Sequence, residues 1–372
     1  MKVIFTIDSL AQGGTEQSIA EMISHFNDDI QVVVVYFYNS HQLKSIYESI
    51  NCKLYYLDID EKYGFYDAIR KFSQVVVQEK PDVVVSSLYR SLIISRLVCW
   101  WKKVPLIGTF VNERYSAERK SRFKDLSVIK YFLTWLLDRS TAFIPQKVIS
   151  NSYSISLLNG KSLDIPSSKI KVIYRGRDTR NYPMWVRPVG VDKFVWIAIG
   201  RLIPQKGYEN LLSAFQMLKM KHIQVELRII GEGSLQSELE ELIQKLNLKS
   251  DVKLEGNIPL AWRHLYDANA FVLPSVSEGF SGSLVEALIA GIPLVASDIP
   301  MNLEAISPGK DAYFFRHNDY RDLYDKMDQL MNSYEVSCEV AKIMRRRAID
   351  NYDIRKVANE YAKTIQTVSN GK

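Results

Sequence analysis

Cysteine is scarce. Cys52, Cys99 and Cys338 are the only three in 372 residues, and no Cys-x-x-Cys is among them. That leaves no disulfide framework and no cysteine metal site, and it suits a reduced, cytoplasmic setting. The five histidines, His25, His41, His222, His264 and His317, fall at no metal-binding spacing; His264, within Trp262-Arg-His-Leu-Tyr266, reads as a surface or packing residue. No apolar run reaches the ~18 uncharged residues of a membrane span; the nearest, Val83 to Trp101, is interrupted by Arg90 and Arg96. The opening Met1-Lys-Val-Ile-Phe-Thr-Ile-Asp8 is too short in its apolar part for a signal peptide and reads as a first strand. No Gly-x-Ser-x-Gly or Cys/His pairing stands out, so a hydrolase with a Ser or Cys nucleophile is unsupported. Neither sign of charge dominates: 48 Lys and Arg against 42 Asp and Glu give a net +6, far from the signature of a nucleic-acid partner.

What is present is an ordinary globular composition, 47% hydrophobic and 24% charged. The length is too great for one typical core, so two domains are expected. Near-continuous apolar runs such as Val32-Val-Val-Val-Tyr36 alternate with helical patterns, the mark of a parallel α/β sheet buried on both faces. Strands are expected at Lys2–Thr6, Ile30–Tyr36, Lys53–Leu57, Asp82–Ser86, Pro105–Thr109, Lys147–Ser150 and Lys171–Tyr174. A second series follows at Phe194–Ile199, Val225–Ile230, Val252–Leu254, Ala270–Leu273, Pro293–Ala296 and Ala312–Phe315. The stretch Arg175 to Gly190 has no period and two prolines, and is the best linker candidate. The expectation is two tandem Rossmann-like, doubly wound domains facing a central cleft, 1–180 and 181–350, with a last helix in 351–372.

The stretch Ser275-Val-Ser-Glu-Gly-Phe-Ser-Gly-Ser-Leu-Val-Glu286 is the densest in chemistry. A strand ends at Leu273, a loop carries Glu278 and Gly279, and Gly282-Ser283 opens a helix stopped by Gly291. Such a junction points helix N–H groups at an anion, typically phosphate. Glu278 and Glu286 would repel phosphate, so they suit neutral hydroxyls beside it. Phosphate next to hydroxyls suggests a sugar nucleotide. Strand Phe194–Ile199 runs into Gly200-Arg-Leu-Ile-Pro-Gln-Lys-Gly207, placing Arg201 and Lys206 where a diphosphate would lie, unless both are solvated loop residues. Gly231-Glu-Gly233 is a further strand–helix junction, either a tight turn or a place where a base approaches the backbone. Gly13-Gly14 opens the first helix without the Gly-x-Gly-x-x-Gly spacing of a dinucleotide site; it is a phosphate contact or a cap. Asp58-Ile-Asp60 reads as a solvated loop, since two carboxylates are too few for a metal. Residues 100–137 are basic and aromatic, from Trp100-Trp-Lys-Lys103 through Arg114–Lys124 to Val128–Leu137. They suit an anionic membrane surface or a core helix with a solvated flank.

Together, Gly13-Gly-Thr-Glu16, Gly200-Arg201 with Lys206-Gly207, Gly231-Glu-Gly233 and Glu278-Gly-Phe-(x5)-Glu286 resemble the retaining, GT-B fold "group 1" glycosyltransferases of polysaccharide and glycolipid assembly. The resemblance covers nearly the whole chain and is strongest from about 194 to 300. It implies a retaining, metal-independent transferase without a cofactor. Such an enzyme moves a sugar from a nucleotide diphosphate, UDP being the expected one, to a glycan or lipid-linked acceptor in surface polysaccharide, lipopolysaccharide or capsule synthesis. Arg201 and Lys206 would hold the donor diphosphate, Glu286 the ribose, and Glu278 the donor sugar. Gly200, Gly231, Gly233, Ser281, Gly282, Ser283 and Leu284 would complete the donor site, with Gly14 facing the diphosphate from the N-terminal domain. It also implies that the last helix returns to that domain, and that the protein sits in the cytoplasm or peripherally on the inner membrane face. Two positions depart from the pattern. The family histidine is absent from Thr109-Phe-Val-Asn-Glu-Arg114, where Asn112 would substitute, and Arg175-Gly176 replaces the usual Asn-Gly. The alternatives are a sugar-nucleotide epimerase, which the scarcity of histidine disfavours, and a non-catalytic nucleotide-binding scaffold.

Overall fold

The computed structural model describes residues 1–50, 52–60, 64–115, 126–188, 190, 192–306 and 313–371. The basic flank at 116–125 and Ala312, both singled out above, lie outside the described residues. The chain divides into two compact units, Met1–Arg177 with Ile354–Lys372, and Asp178–Asp353.

The first unit is a parallel seven-stranded sheet. Its elements are β1 (Lys2–Ile7), α1 (Gly14–Ile23), β2 (Gln31–Tyr36), α2 (Lys44–Ser49), β3 (Lys53–Tyr56), α3 (Phe65–Glu79), β4 (Val83–Ser86) and α4 (Tyr89–Lys102). They continue with β5 (Leu106–Phe110), α5 (Leu126–Thr141), β6 (Lys147–Ser150), α6 (Tyr153–Leu163) and β7 (Ile170–Val172). The strand order β3-β2-β1-β4-β5-β6-β7 reverses direction between β1 and β4. Alternate residues feed opposite faces, as the pleat requires. Val3, Phe5 and Ile7 join one core with Ile19, Met22, Val34 and Tyr36, whereas Ile4, Val33 and Val35 join another with Phe72, Val75, Ile94 and Val98. The first of these cores is completed by Ile354, Val357, Ile365 and Val368 from the terminal helix. That burial is the physical reason the C-terminal helix crosses back: the helix packs against α1, β4 and β5, where Val83, Val85 and Ile107 share its core.

The second unit comprises β8 (Phe194–Ile199), α7 (Tyr208–Lys221), β9 (Val225–Ile230), α8 (Gln236–Lys245), β10 (Val252–Leu254) and β11 (Ala270–Leu273). After these come α9 (Gly282–Ala290), β12 (Leu294–Ser297), α10 (Pro300–Ile306), β13 (Tyr313–Phe315), α11 (Tyr320–Asn332) and α12 (Tyr334–Tyr352). Asp353 then breaks the helix in extended conformation before α13 (Ile354–Asn370). Its six parallel strands run β10-β9-β8-β11-β12-β13, reversing between β8 and β11. The candidate linker behaves differently from a free tether. The division falls within it, but beyond Asp178 it is pinned to the second unit: Trp185 is buried, its N–H bonds Ala290 O at 2.8 Å, and its indole bonds Ala268 O at 3.0 Å. A large aromatic finding both burial and a hydrogen-bond acceptor outweighs the low local propensity of a proline-containing stretch.

Candidate active site

In the second unit the chemistry gathers at the point where strand order reverses. β8 and β11 are neighbours, pairing Ala270 with Trp196 and Phe271 with Ile197. Their loops leave the sheet at Gly200 and Pro274 on either side of the crevice where open α/β sheets take ligands. Lys206 lies on a short 3-10 turn, Pro204–Lys206, and its ammonium pairs with Glu278 Oε1. Ser275 Oγ donates to the same oxygen at 2.7 Å. Gly207 makes the approach possible: its φ is +67°, and a Cβ there would lie 2.3 Å from Pro274 O. Tyr208, buried, donates its hydroxyl to Gly200 O at 2.9 Å. Burial, with the nearby Glu278 charge, pushes the Tyr208 hydroxyl pKa up, so it stays a donor.

Beneath this pair runs a buried polar chain that the sequence reading missed. Asn302 Nδ2 donates to Ser297 Oγ at 2.9 Å, Ser297 Oγ donates to Ser275 O, and Ser275 donates to Glu278. All of Ser275, Ser297 and Asn302 are fully buried. Polar residues at the buried C-terminal ends of β11 and β12 were the available signal, because such groups persist only when satisfied.

Ser281 caps α9, its Oγ accepting the Leu284 N–H at 3.4 Å and lying 3.2 Å from Ser283 Oγ. Gly282 and Ser283 thus open the helix with N–H groups that have no preceding turn to bond. The Leu284 side chain is core, 0% exposed, and its N–H is the one that Ser281 Oγ accepts. Glu286 follows on the second turn, half-buried. Arg201 is exposed, just beyond β8, with no ion-pair partner among the described residues. Gly231 and Gly233 do permit close approach, but to the chain's own backbone: a Cβ would lie 2.0 Å from Gly200 O and 2.3 Å from Leu202 O respectively. They seat the loop after β8 against the loop after β9, an interlock completed by Leu202 N–H to Glu232 O at 2.9 Å.

The first unit brings together a smaller set. Gly14 is the first residue of α1, and the Arg175 guanidinium stands over it, 3.1 Å from where a Cβ would be. Gly13 precedes the helix without a side-chain cap, and the Glu16 carboxylate folds over it. Asn112 is exposed and held by its carbonyl, which accepts Asn159 Nδ2 at 3.0 Å. At the end of β1, Asp8 accepts the Ser91 N–H at 2.7 Å. Burial pushes its carboxyl up, against hydrogen bonds from Ser91 and the charges of Arg90 and Arg114. Asp58 and Asp60 follow β3, and the described residues contain no group of three metal-type ligands.

The least expected feature is α5. Ile129, Phe132, Leu133, Leu136 and Leu137 recur at helical spacing, a pattern that ordinarily marks a core face, yet all are exposed, Ile129 at 63%. The face turned inward carries Asp138, 0% exposed, which accepts Arg96 Nη1 at 2.6 Å, Arg114 Nη1 at 3.1 Å and Tyr115 OH at 2.7 Å. Burial alone would raise the Asp138 pKa; the two guanidiniums and the Tyr115 hydroxyl prevail and hold it below the usual carboxylate range. A lone carboxylate opposite an apolar stripe was the sequence signal, and periodicity by itself gives no direction to a stripe. No helix among the described residues is long and apolar enough to cross a membrane.

Comparison with known proteins gives two family matches that together span most of the chain: "Glycosyl transferases group 1" over residues 185–351 and "Glycosyltransferase Family 4" over residues 12–181. An uncharacterized glycosyltransferase of Methanocaldococcus jannaschii is 29% identical over 239 residues, 61% of this chain and 58% of that protein, so this chain spans less than two thirds of it. The N,N'-diacetylbacillosaminyl-diphospho-undecaprenol alpha-1,3-N-acetylgalactosaminyltransferase of Campylobacter jejuni is 25% identical over 303 residues, 77% of each chain. Among solved structures, Anabaena HepE in complex with UDP superposes with a TM-score of 0.83 at 20% identity, covering 99% of this chain and 100% of that one.

Proposed function

Because this chain belongs to the group 1 glycosyltransferase family and has its GT-B fold, we propose that it moves a sugar from a nucleotide diphosphate, UDP in particular, to a glycan acceptor with retention of anomeric configuration. The acceptor is a lipid-linked one. The observation that carries the proposal is the convergence of Lys206, Glu278 and the start of α9 at the β8/β11 switch point. In this reading Arg201 and Lys206 stabilise the charge that develops on the departing diphosphate, with no metal or cofactor required. Lys206 is pre-positioned by Glu278 and exchanges to phosphate when the donor enters. Glu278, steadied by Ser275, then serves the donor sugar hydroxyls, and Glu286 the ribose. The N–H groups of Gly282 and Ser283 receive phosphate oxygens. The bond from the anomeric carbon to the phosphate oxygen breaks, the acceptor oxygen bonds on the same face, and the acceptor proton passes to the phosphate. The first unit serves the acceptor, with Arg175 and Asn112 as its proposed polar contacts, while Gly14, at the start of α1, is a proposed phosphate contact.

The related proteins support the donor and acceptor classes by what they are: HepE is described with UDP and with UDP-glucose, and the Campylobacter relative is named for a diphospho-undecaprenol substrate. The outward stripe of α5, flanked by Lys130 and Arg139, and the exposed Trp100 and Trp101 followed by Lys102 and Lys103, support peripheral association with an anionic bilayer.

A thermal-shift panel of nucleotides and nucleotide sugars tests the donor reading. UDP or a UDP-sugar is expected to stabilise the protein, and Arg201→Ala or Glu286→Ala to abolish that response. Lys206→Ala is expected to lower turnover by about 10²–10³-fold, the cost of deleting one preorganised charge at a developing anion. No response to any nucleotide would refute the proposal. Salt-sensitive flotation with anionic liposomes tests the membrane contact; indifference to anionic lipid would remove it.

A further inference from the structure

Asn302 is fully buried in the first turn of α10, and its side-chain oxygen has no hydrogen-bond partner among the described residues. A core position gains nothing from a half-satisfied amide over an apolar residue of similar shape. What this amide does give is its NH₂ group, which donates to Ser297 O at 3.2 Å and to Ser297 Oγ at 2.9 Å. The first of these is a carbonyl, which can only accept, so it fixes which way the amide points. Ser297 Oγ takes a hydrogen bond from Asn302 and sends its own proton to Ser275 O, again a carbonyl. Backbone groups therefore set both ends of the chain. It runs in one direction, from α10 through the end of β12 to the end of β11.

Ser275 is the residue that the chain holds in place. Its carbonyl is taken by Ser297, and its hydroxyl donates to Glu278 Oε1 at 2.7 Å. The N–H of the next residue, Val276, bonds Gln205 O at 2.9 Å, one residue before Lys206. Glu278 Oε1 also receives the Lys206 ammonium, whereas Oε2 has no partner among the described residues. One carboxylate oxygen is thus occupied by the protein and the other is left to a ligand. Tyr352, buried, secures the same parts from another side. Its hydroxyl donates to Ala305 O of α10 at 2.8 Å, and its ring lies 5.6 Å from that of Phe280, two residues beyond Glu278. The helix that carries Asn302 and the loop that carries Glu278 share this support.

We propose that Asn302 is a positioning residue for recognition of the donor sugar. Through Ser297 and Ser275 it keeps Glu278 Oε1 on the protein side and leaves Oε2 to accept a sugar hydroxyl. A carboxylate fixed in this way discriminates between sugars, because a hydroxyl in the wrong place leaves a charged acceptor unmet. The sugar part rests on the transferase reading above; the hold on Glu278 and Lys206 does not.

Two measurements on the full chain test it. Pulse acetylation of lysines, read by peptide mass spectrometry, reports the Lys206–Glu278 pair without any nucleotide. Labelling of Lys206 is expected to rise about tenfold in Glu278→Gln, the loss of one charge-assisted hydrogen bond. Asn302→Leu and Ser275→Ala should each raise it in the same direction. The double variant should rise no further than the larger single one, because Asn302 acts through Ser275. Lys219, paired with Asp251 in the same unit, should keep its wild-type labelling. Calorimetric titration with UDP, UDP-glucose and UDP-N-acetylglucosamine then reads the sugar. In Asn302→Leu, affinity for whichever sugar nucleotide binds more tightly is expected to fall about tenfold relative to UDP. Unchanged Lys206 labelling in Asn302→Leu, additive rises in the double variant, or an equal rise at Lys219 overturns the positioning role. Equal losses for UDP and the sugar nucleotides overturn the sugar contact. The Lys206 effect without a response to any nucleotide sinks the transferase and leaves the hold on Glu278 standing. A nucleotide response with unchanged Lys206 labelling sinks the positioning role alone.

Discussion

Asp138→Asn isolates what holds α5 in its inverted orientation. The substitution keeps the size of the side chain and one acceptor oxygen; it removes the charge and sets an N–H donor where the second oxygen accepted. Two guanidiniums depend on that charge. Arg96 is 0% exposed, its Nε and Nη2 have no hydrogen-bond partner among the described residues, and its Nη1 otherwise meets only the neutral Asp138 O at 2.9 Å and Thr141 Oγ1 at 3.0 Å. Arg114 is nearly as buried, with Phe110 and Tyr89 rings within 6 Å as its softer contacts. Leaving a buried cation uncompensated costs about 3–5 kcal/mol, a fifth or more of the ~5–15 kcal/mol that holds a typical domain together. The chain has two units, so a single unfolding midpoint would be ambiguous, and hydrogen exchange read by peptide is the better assay. Protection in 89–102 and 126–141 is expected to fall by roughly two to three and a half orders of magnitude, which is that energy at ~1.4 kcal/mol per decade. Protection in 282–290 should not change. Replacing all three charges together, Arg96→Met, Arg114→Leu and Asp138→Leu, should recover much of the loss, because apolar groups of similar volume carry no desolvation cost. A loss under about 1 kcal/mol in the single variant, or a triple variant worse than the single one, would refute the reasoning.

Two further outcomes follow from the same structure. Gly231→Ala places a Cβ 2.0 Å from Gly200 O at a φ of +148°, so calorimetry of the variant should show about 1–3 kcal/mol lost together with a weakened nucleotide response; unchanged values would mean that the two loops are not interlocked there. Glu79 tests the pH dependence: hydrogen bonds from Lys53, Tyr55 and Lys2 hold its carboxyl down at about 2. Its folded pKa lies below the unfolded one, so its stabilisation is full above the ordinary glutamate range and is lost as pH falls through about 2. An acid titration of wild type against Glu79→Gln, followed by hydrogen exchange at α3, should show the difference between the two shrinking over that window; a constant difference would contradict it.

The elements were legible where the signal is local. β8, β9, β10, β11 and the helix 282–290 sit where hydrophobic runs and glycine stops place them, because a buried parallel strand must be continuously apolar and a C-cap glycine must take a left-handed φ, here +80° at Gly291. The candidate residues Lys206 and Glu278 were legible as types, each beyond a strand end. Their pairing was not, since 72 residues separate them and only the adjacency of β8 and β11 closes that distance. The role of Gly231 and Gly233 was half legible: a glycine signals a close approach, but what approaches it is a tertiary fact.

By itself, then, the sequence determined the alternation of strands and helices, the parallel class of both sheets, and the strand-to-helix junctions that carry charge and glycine. Periodicity and backbone sterics act over a few residues and need nothing further. Tertiary structure alone decided the order of the strands, and with it which junctions meet at a switch point. It decided that Trp185 ties the candidate linker to the second unit, and that Asn302, Ser297 and Ser275 support Glu278. It also decided which way α5 faces. An apolar stripe has the same period whether it looks in or out; the direction was set by Asp138, because a carboxylate can be buried only against the guanidiniums that Arg96 and Arg114 bring from elsewhere in the fold.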